Sequence, residues 1–512
     1  MINSDGQILL FLGMNVLLLA IVTEMAARRG WLPQWFSRKL LHIGAVGSCA
    51  LAPLWLQDLT ALRWMVVVVE PVLICLVATG RLFVEANGRR SWGIALFPLA
   101  YLGLLFFTES RFLIVVPMAI LALSDAAAAI VGQLFARRFF QLTGDRKSLT
   151  GSGAFMLTTI AVIGASQFVF PELWFSSYPL YHFRVNPHNF WFWNEIILAA
   201  LLLAGLEMLG SKGFDNLLVP WGAVLLLIHL WRPIPFYDHY PLGVIALWMA
   251  VVVAFLFARF TIRRQVLTAD GAVTAACLGL WVLFFSSSIL SLWPLLLFFI
   301  TSILLGRLSK RRAVTSDAKH GQARDYRQVI CNGGIYAVVV ALSQSASFLR
   351  GGDIPLFIAL TIAAQASLAI STADTWASEI GIYFRGKTYD IWRWRPTPVG
   401  LSGGVSWAGT LGGLAGSATL AGLGFGPFGT YLPLFLMVVA AGFAGMLLDS
   451  LLGATLQGRY RNEETGAATD IATPVLQSGY RWMSNDGVNL LSNILITVAV
   501  AVCVYFFKIT PS

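Results

Sequence analysis

Residues 354–370 read IPLFIALTIAAQASLAI, and 370–381 read ISTADTWASEIG. The run is apolar enough to lie in a bilayer, yet it closes on Asp374, Thr375, Ser378 and Glu379. An ionisable side chain at the centre of a spanning helix costs about 2.5–3.5 kcal/mol on insertion scales, so two carboxylates here point to chemistry. Asp125 stands in a similar run, LSDAAAAIVG (123–132), with Gly132 seven residues on and on the same helical face. The next loop, GDRKSLTGSG (144–153), places Lys147, Ser148, Gly151 and Ser152 at the start of a helix. That combination suits a phosphate. Backbone N–H groups and the helix end attract the anion, the lysine adds a point charge, and a carboxylate opposite can hold Mg2+. The expectation is such a cradle and not a P-loop; a basic loop with a serine cap is the plain alternative.

Further clusters accompany these. EMLGSKGFDNLLVP (207–220) sets Glu207 near a helix end and Asp215-Asn216 at the next apolar run. An ordinary N-cap explains Asp215 or Asn216 but not Glu207 as well. A second metal ligand and a base for a substrate hydroxyl explain all three. RKLLHIG (38–44) offers Arg38, Lys39 and His42, and YRQVICNGG (326–334) offers Gln328 and Asn332. RPTPVGLSGG (395–404) offers Gly400, Gly403 and Gly404, and LLDSLLGATLQ (447–457) offers Asp449, Ser450 and Gln457. NDGVNLL (485–491) offers Asn485, Asp486 and Asn489. The expected metal ligands are Asp125, Asp215, Asp374 and Asp449. Lys147, Glu207, Asn216, Glu379 and Asp486 join them as catalytic candidates, and the remaining residues are binding candidates.

The elements that must position these residues are membrane helices. The 512 residues are 57% hydrophobic and 12% charged, against roughly 25% charged in soluble domains. About sixteen apolar segments reach spanning or near-spanning length, which makes the fold class all-α and polytopic. The net charge of +10 gathers in no single patch, so nucleic acid is not an expected partner. With the N-terminus outside, 29 of the 35 Lys and Arg residues fall in one set of alternate loops, as the positive-inside rule requires. All the clusters above then share the cytoplasmic face. The external stretch HFRVNPHNFWFW (182–193) reads as an interfacial aromatic belt. The five cysteines form no CxxC pair and read as small apolar residues. The first apolar run lacks a basic flank and a cleavage site, so it reads as a retained helix. No transit peptide is evident, and a bacterial plasma membrane is expected.

RKLLHIG, SDAAAAIVG, GDRKSLTGS and EMLGSKGFDNLLVP resemble, in order and spacing, the polyprenol kinase family, which includes phytol and dolichol kinases. RRSWGIALFP (89–98) belongs to the same match, over roughly 30–260. LTADGAVTAACLG (267–279), RQVICNGG, ADTWASEIG, VGLSGGVSWAGT (399–410), LLDSLLGATLQ and NDGVNLLSN resemble the DUF92 family, to which phytyl-phosphate kinase belongs. RPTPVGLSGG departs from that family's GTNGG-like turn at Leu401 and Ser402. The resemblance implies a domain at 1–260 that makes a prenyl monophosphate and one at 265–512 that makes the diphosphate, with CTP as donor. The halves also read as a distant parallel repeat: SDAAAAIVG answers ADTWASEIG, and LTGSG answers LSGGV. In that pairing Asp374 does for the second half what Asp125 does for the first.

The expected function is two successive phosphoryl transfers from a nucleotide triphosphate to an isoprenoid alcohol and then to its monophosphate, in the bilayer, with Mg2+. A CTP-dependent lipid-phosphate cytidylyltransferase is an alternative enzyme, because SDAAAAIVG with KSLTGS resembles that family too. A lipid transporter or flippase is an alternative of another class, since intramembrane carboxylates also mark transport paths.

Overall fold

The structure is a computed structural model that describes residues 4–79, 92–174, 190–231, 240–286, 288–311, 323–346, 353–423, 432–461 and 468–507. Most of the external stretch 182–193 and the start of RRSWGIALFP lie outside the described residues. The chain divides into two compact units, Met1–Trp248 and Met249–Ser512.

Unit 1 contains α1 (Ser4–Arg28), α2 (Gln34–Trp55), α3 (Thr60–Ala78), α4 (Gly93–Phe107), α5 (Arg111–Phe135), β1 (Phe140–Gln141), β2 (Arg146–Lys147), α6 (Leu149–Val169), the one-turn α7 (Pro171–Trp174), α8 (Phe190–Leu209) and α9 (Asp215–Leu230). The division falls within α10 (Tyr240–Arg263). α5 is the buried centre and packs against α2, α6 and α9. Its run of alanines at 126–129 and its Gly132 leave room for close neighbours. α1, by contrast, exposes Phe11, Met14, Leu17 and Leu18, as a helix facing lipid does. At the end of the unit remote from the clusters, Asp5 accepts hydrogen bonds from the Gln57 and Asp58 N–H groups, both at 3.1 Å. Arg111 there donates to the Leu56 carbonyl at 2.9 Å.

Unit 2 contains α11 (Ala269–Ser286), α12 (Trp293–Lys310), α13 (Tyr326–Val329), a π turn over Ile330–Gly334, α14 (Ile335–Ala346), α15 (Ile354–Phe384), α16 (Trp407–Leu423), α17 (Leu432–Thr455) and α18 (Asn485–Phe506). α15 is the axis, packed against α12, α14, α16, α17 and α18. A buried polar chain fixes it to its neighbours. Ser371 donates to the Asn332 carbonyl in the π turn at 3.0 Å, and Asn493 of α18 donates to Ser371 Oγ at 3.0 Å and to the Ser367 carbonyl at 2.9 Å. A π turn frees backbone groups that an α-helix would consume, and such turns gather at functional sites.

Two loops cap unit 2 at the C-terminal ends of α15 and α17. One carries β3 (Tyr389–Asp390) and β4 (Gly404–Val405); the other carries β5 (Arg459–Arg461), β6 (Ala468–Thr469) and β7 (Leu476–Ser478). Arg459 of one loop binds Asp390 of the other at 2.8 Å, and both side chains are buried. Ser402 donates through both its N–H and its hydroxyl to Asp470, at 2.9 and 2.8 Å.

This is an all-α integral membrane fold. Among the described residues twelve helices are long and apolar enough to span a bilayer, and α4 and α9 are shorter apolar helices. α2 and α16 also coincide with expected segments, but RKLLH in one and five glycines in the other dilute their apolar character. Among the described residues twelve helices thus meet this standard, and the other four of the sixteen segments read from the sequence are helices that fall short of it. Asp125 lies ten residues from the end of α5, nearly three turns.

Candidate active site

One end of unit 1 gathers residues from five segments. Asp125 comes from α5, Glu207 from the last turn of α8 and Asp215 from the first residue of α9. Each places one carboxylate oxygen within 4.8 Å of the other two. Lys39 of α2 binds Asp125 at 2.8 Å, and His42 Nε2 lies 3.4 Å from the same oxygen. The β1–β2 hairpin delivers Lys147, which reaches Glu207 at 2.5 Å and Asp215 at 3.4 Å. Burial disfavours the Lys147 ammonium, but Glu207 and Asp215 outweigh it and hold its pKa above the ordinary lysine range. Glu207 Oε2 is buried without a hydrogen-bond partner among the described residues. Three hard oxygen donors and one unsatisfied carboxylate oxygen fit a divalent cation such as Mg2+.

The neighbouring turn is tightly built. Ser148 caps α6 by accepting the Gly151 N–H at 3.1 Å. A Cβ on Gly151 would lie 2.7 Å from the Ala128 carbonyl of α5, and one on Gly132 would lie 3.0 Å from Ser148 Oγ. Ser152 is buried, and its hydroxyl has no hydrogen-bond partner among the described residues. The turn before α9 needs Gly213 at φ +89°, where a Cβ would meet the Gly93 nitrogen at 2.3 Å. Asn216 turns away from the carboxylates and donates to the Gly93 carbonyl at 2.9 Å, so it braces α4. Arg38 is exposed.

Unit 2 repeats this frame. Asp374, Ala377 and Gly381 stand at the same spacings as Asp125, Ala128 and Gly132. Ser406 accepts the Gly409 N–H at 3.2 Å. A Cβ on Gly409 would lie 2.8 Å from the Ala377 carbonyl, and one on Gly381 would lie 3.2 Å from Ser406 Oγ. SLTG (148–151) thus answers SWAG (406–409), which corrects the pairing of LTGSG with LSGGV. The Gly400–Gly404 segment lies before the corresponding turn. Gly403, at φ +78°, approaches α17 so closely that a Cβ would lie 2.6 Å from Ala454 Cβ.

A cleft of about 590 Å3 opens here. Asp374, Thr375, Ser378, Glu379, Asp449, Ser450, Gln457, Asn485 and Asp486 line it, as do Gln328, Asn332, Gly400, Gly403 and Gly404. Asn489 does not line it; with its amide turned to donate, it binds Asp449 at 2.9 Å, and Ser492 donates to the same oxygen at 3.2 Å. Glu379 points to α12, where the Ser309 hydroxyl binds it. The carboxylates of this unit do not form a three-member cluster like that of unit 1 among the described residues. GIYFRGKT (381–388) has the GxxxxGKT spacing, but it is the end of α15 running toward β3. It is not the strand–loop–helix of a P-loop, whatever its spacing.

A phytol kinase of Synechocystis sp. is 30% identical over 220 residues, covering 40% of this chain and 84% of the relative. Residues 252–497 match the family described as integral membrane protein DUF92. The chain belongs to the phytol kinase family. Protein PGR of Arabidopsis thaliana is 29% identical over 282 residues, covering 50% of this chain and 96% of the relative. An uncharacterized membrane protein of Methanocaldococcus jannaschii is 28% identical over 236 residues, with 45% and 93% covered. No solved structure matches the chain.

In this member of the phytol kinase family, several residues that build the cleft are loop residues. Asp390, Arg459 and Asp470 hold the two caps of unit 2 together, and Arg324 lines the wall near α12. Their partners lie far away in sequence, so no local pattern announces them. The charge alternation in WRWR (392–395) and RYR (459–461) is the only sequence signal near them.

Proposed function

We propose that this protein is a membrane-embedded isoprenoid alcohol kinase that phosphorylates a prenol of the phytol type in unit 1 and its monophosphate in unit 2. The observation that carries the proposal is the repeated frame: an aspartate seven residues before a glycine, facing a serine-capped glycine helix start, once around Asp125 and once around Asp374. The relationship to phytol kinase supports the reaction class. CTP is the expected donor through the family resemblance.

In unit 1 the acceptor is a neutral hydroxyl. Its oxygen forms a bond to the terminal phosphorus of the donor as the bridging P–O bond breaks, and a nucleoside diphosphate leaves. The hydroxyl proton passes to Glu207 Oε2, the carboxylate oxygen without a partner, and then to water. Lys147 holds Glu207 and Asp215 in place, while Lys39 holds Asp125. The Ser148–Gly151 turn receives phosphate oxygens at the start of α6. Asp125 and Asp215 in unit 1, and Asp374 and Asp449 in unit 2, would hold Mg2+, whose charge when bound offsets that of the phosphates. In unit 2 the acceptor phosphate is already an anion and needs no base. Its oxygen bonds to the donor's terminal phosphorus as the bridging P–O bond breaks, the nucleoside diphosphate leaves, and the prenyl diphosphate remains as product.

The test is purified full-length protein in lipid nanodiscs with phytol, Mg2+ and labelled CTP or ATP, with products resolved by mass. Phytyl monophosphate followed by diphosphate, with nucleoside diphosphate released, is the expected result. Release of pyrophosphate would identify a nucleotidyltransferase instead, and no product with any prenol would contradict the kinase reading.

A further inference from the structure

The two units share a frame but not a charge balance. In unit 1 the three carboxylates are paired within the protein with Lys39 and Lys147, which offset two of their charges. In unit 2 the segment leading into α14 lines the cleft with the neutral Gln328 and Asn332, and Val405 precedes Ser406 where Lys147 precedes Ser148. The lysine before the serine cap is therefore lost. Asp449 is contacted instead by the neutral donors Ser492 and Asn489. Cations stand elsewhere in the cleft, as Arg264, Arg307, Lys310, Arg324 and Arg481; of these Arg324 is the one set in the strand-like bridge to Leu267.

Arg324 is rigidly mounted. Its N–H donates to the Val266 carbonyl at 3.1 Å, and its carbonyl accepts from Thr268 N and Thr268 Oγ1, both at 3.1 Å. Gly271 is needed beneath it, since a Cβ there would lie 2.3 Å from the Arg324 oxygen. The half-buried guanidinium lines the cleft and interacts electrostatically with Glu379. Among the described residues it donates no hydrogen bond, and five N–H groups in a planar fork suit a phosphate. Glu379 is five residues from Asp374 and diverges from it by about 140° on a helix, so the arginine and the aspartates occupy different walls. The arginine wall borders α12, whose Ile300, Leu304 and Leu308 are exposed toward lipid. A headgroup bound there leaves its apolar tail beside the bilayer.

We propose that Arg324 binds the phosphate of a lipid monophosphate acceptor, so that unit 2 selects a phosphorylated prenyl chain over the free alcohol. This rests on reading unit 2 as the second kinase, and the test separates the two ideas. Binding of labelled phytyl monophosphate to the full chain is measured without nucleotide, on an Asp125→Asn background, for Arg324, Arg324→Lys and Arg324→Gln. Loss of one charge-assisted phosphate contact weakens binding by about tenfold or more, so the Gln variant should show that loss and the Lys variant should recover part of it. In turnover the Gln variant should raise KM for the monophosphate by a similar factor and leave KM for the nucleotide within about twofold. Equal binding in all three proteins, or a rise confined to the nucleotide KM, overturns the assignment of Arg324. Arginine-dependent binding without any turnover would retain it and overturn the kinase reading of unit 2.

Discussion

Lys147 is the residue on which the unit 1 cluster turns, because it is the cation shared by Glu207 and Asp215. Its raised pKa keeps it an ammonium throughout neutral and mildly alkaline solution. Its contribution to stability is complete below the ordinary lysine pKa and is lost only as pH rises through the higher folded value. Lys147→Met strands the buried Glu207 and the half-buried Asp215. It should lower alcohol phosphorylation at saturating donor by at least about 10²-fold, the scale of one preorganised electrostatic contact. Conversion of added monophosphate should persist as the control for folding. An alcohol rate within about twofold of the parent would remove Lys147 from the site. Asp390 is the corresponding residue for the architecture of unit 2. Burial pushes its carboxyl up, but hydrogen bonds from Arg459 and from the Arg393 and Trp392 N–H groups outweigh this and hold it below the usual carboxylate range. Such a group stabilises fully above its unfolded pKa, and the contribution fades as pH falls through the depressed value. Asp390→Asn leaves Arg459 buried without its counter-charge, which costs about 3–5 kcal/mol. The variant should melt earlier at neutral pH, and its deficit relative to the parent should shrink in acid. A constant deficit down to strongly acidic pH would show that the ion pair is not the cause.

The glycine contacts belong to the scale of the helix pair. α5–α6 approach through Gly151 against the Ala128 carbonyl, and α15–α16 through Gly409 against the Ala377 carbonyl and Gly413 against the Ala373 carbonyl. Neither Ala128 nor Ala377 can yield by a rotamer change, because the contact is backbone. Gly151→Ala should therefore separate α5 from α6 and damage the alcohol step, and Gly409→Ala should do the same to the monophosphate step. Overpacking of this kind costs about 1–3 kcal/mol. Gly153 meets nothing within 4 Å, so Gly153→Ala is the matched control and should behave as the parent. Thermal melting and the two separate step rates check all three. Equal loss of both steps in either variant would contradict two local frames. This frame was half legible in the sequence. The aspartates could be found because a carboxylate in an apolar run is costly, and the glycines because helix starts favour them. The pairing of LTGSG with LSGGV failed because short glycine motifs resemble one another. The true partner, SWAG, shares only its serine and glycine with SLTG, and it is the carbonyl contact that equates them.

At the scale of the molecule, the membrane class followed directly from composition and charge placement, since few polar residues can be buried in lipid without a partner. Each of the sixteen apolar segments read from the sequence coincides with a helix, and four of them, α2, α4, α9 and α16, are too short or too dilute in apolar residues to meet the length and hydropathy standard. The cap of unit 2 was not legible. Asp390, Arg459, Ser402 and Asp470 meet across 57–69 residues of separation, and no local periodicity encodes such contacts. Two separate phosphoryl-transfer sites on one chain are tested by the product distribution of Asp374→Asn, purified at full length and given phytol, nucleotide and Mg2+. The substitution removes one negative charge from unit 2 and leaves Asp125, Glu207 and Asp215 untouched. Phytyl monophosphate should form at the parent's rate and accumulate without diphosphate. Loss of both products from a protein that still melts cooperatively would mean that a single site serves both steps, and would contradict the account.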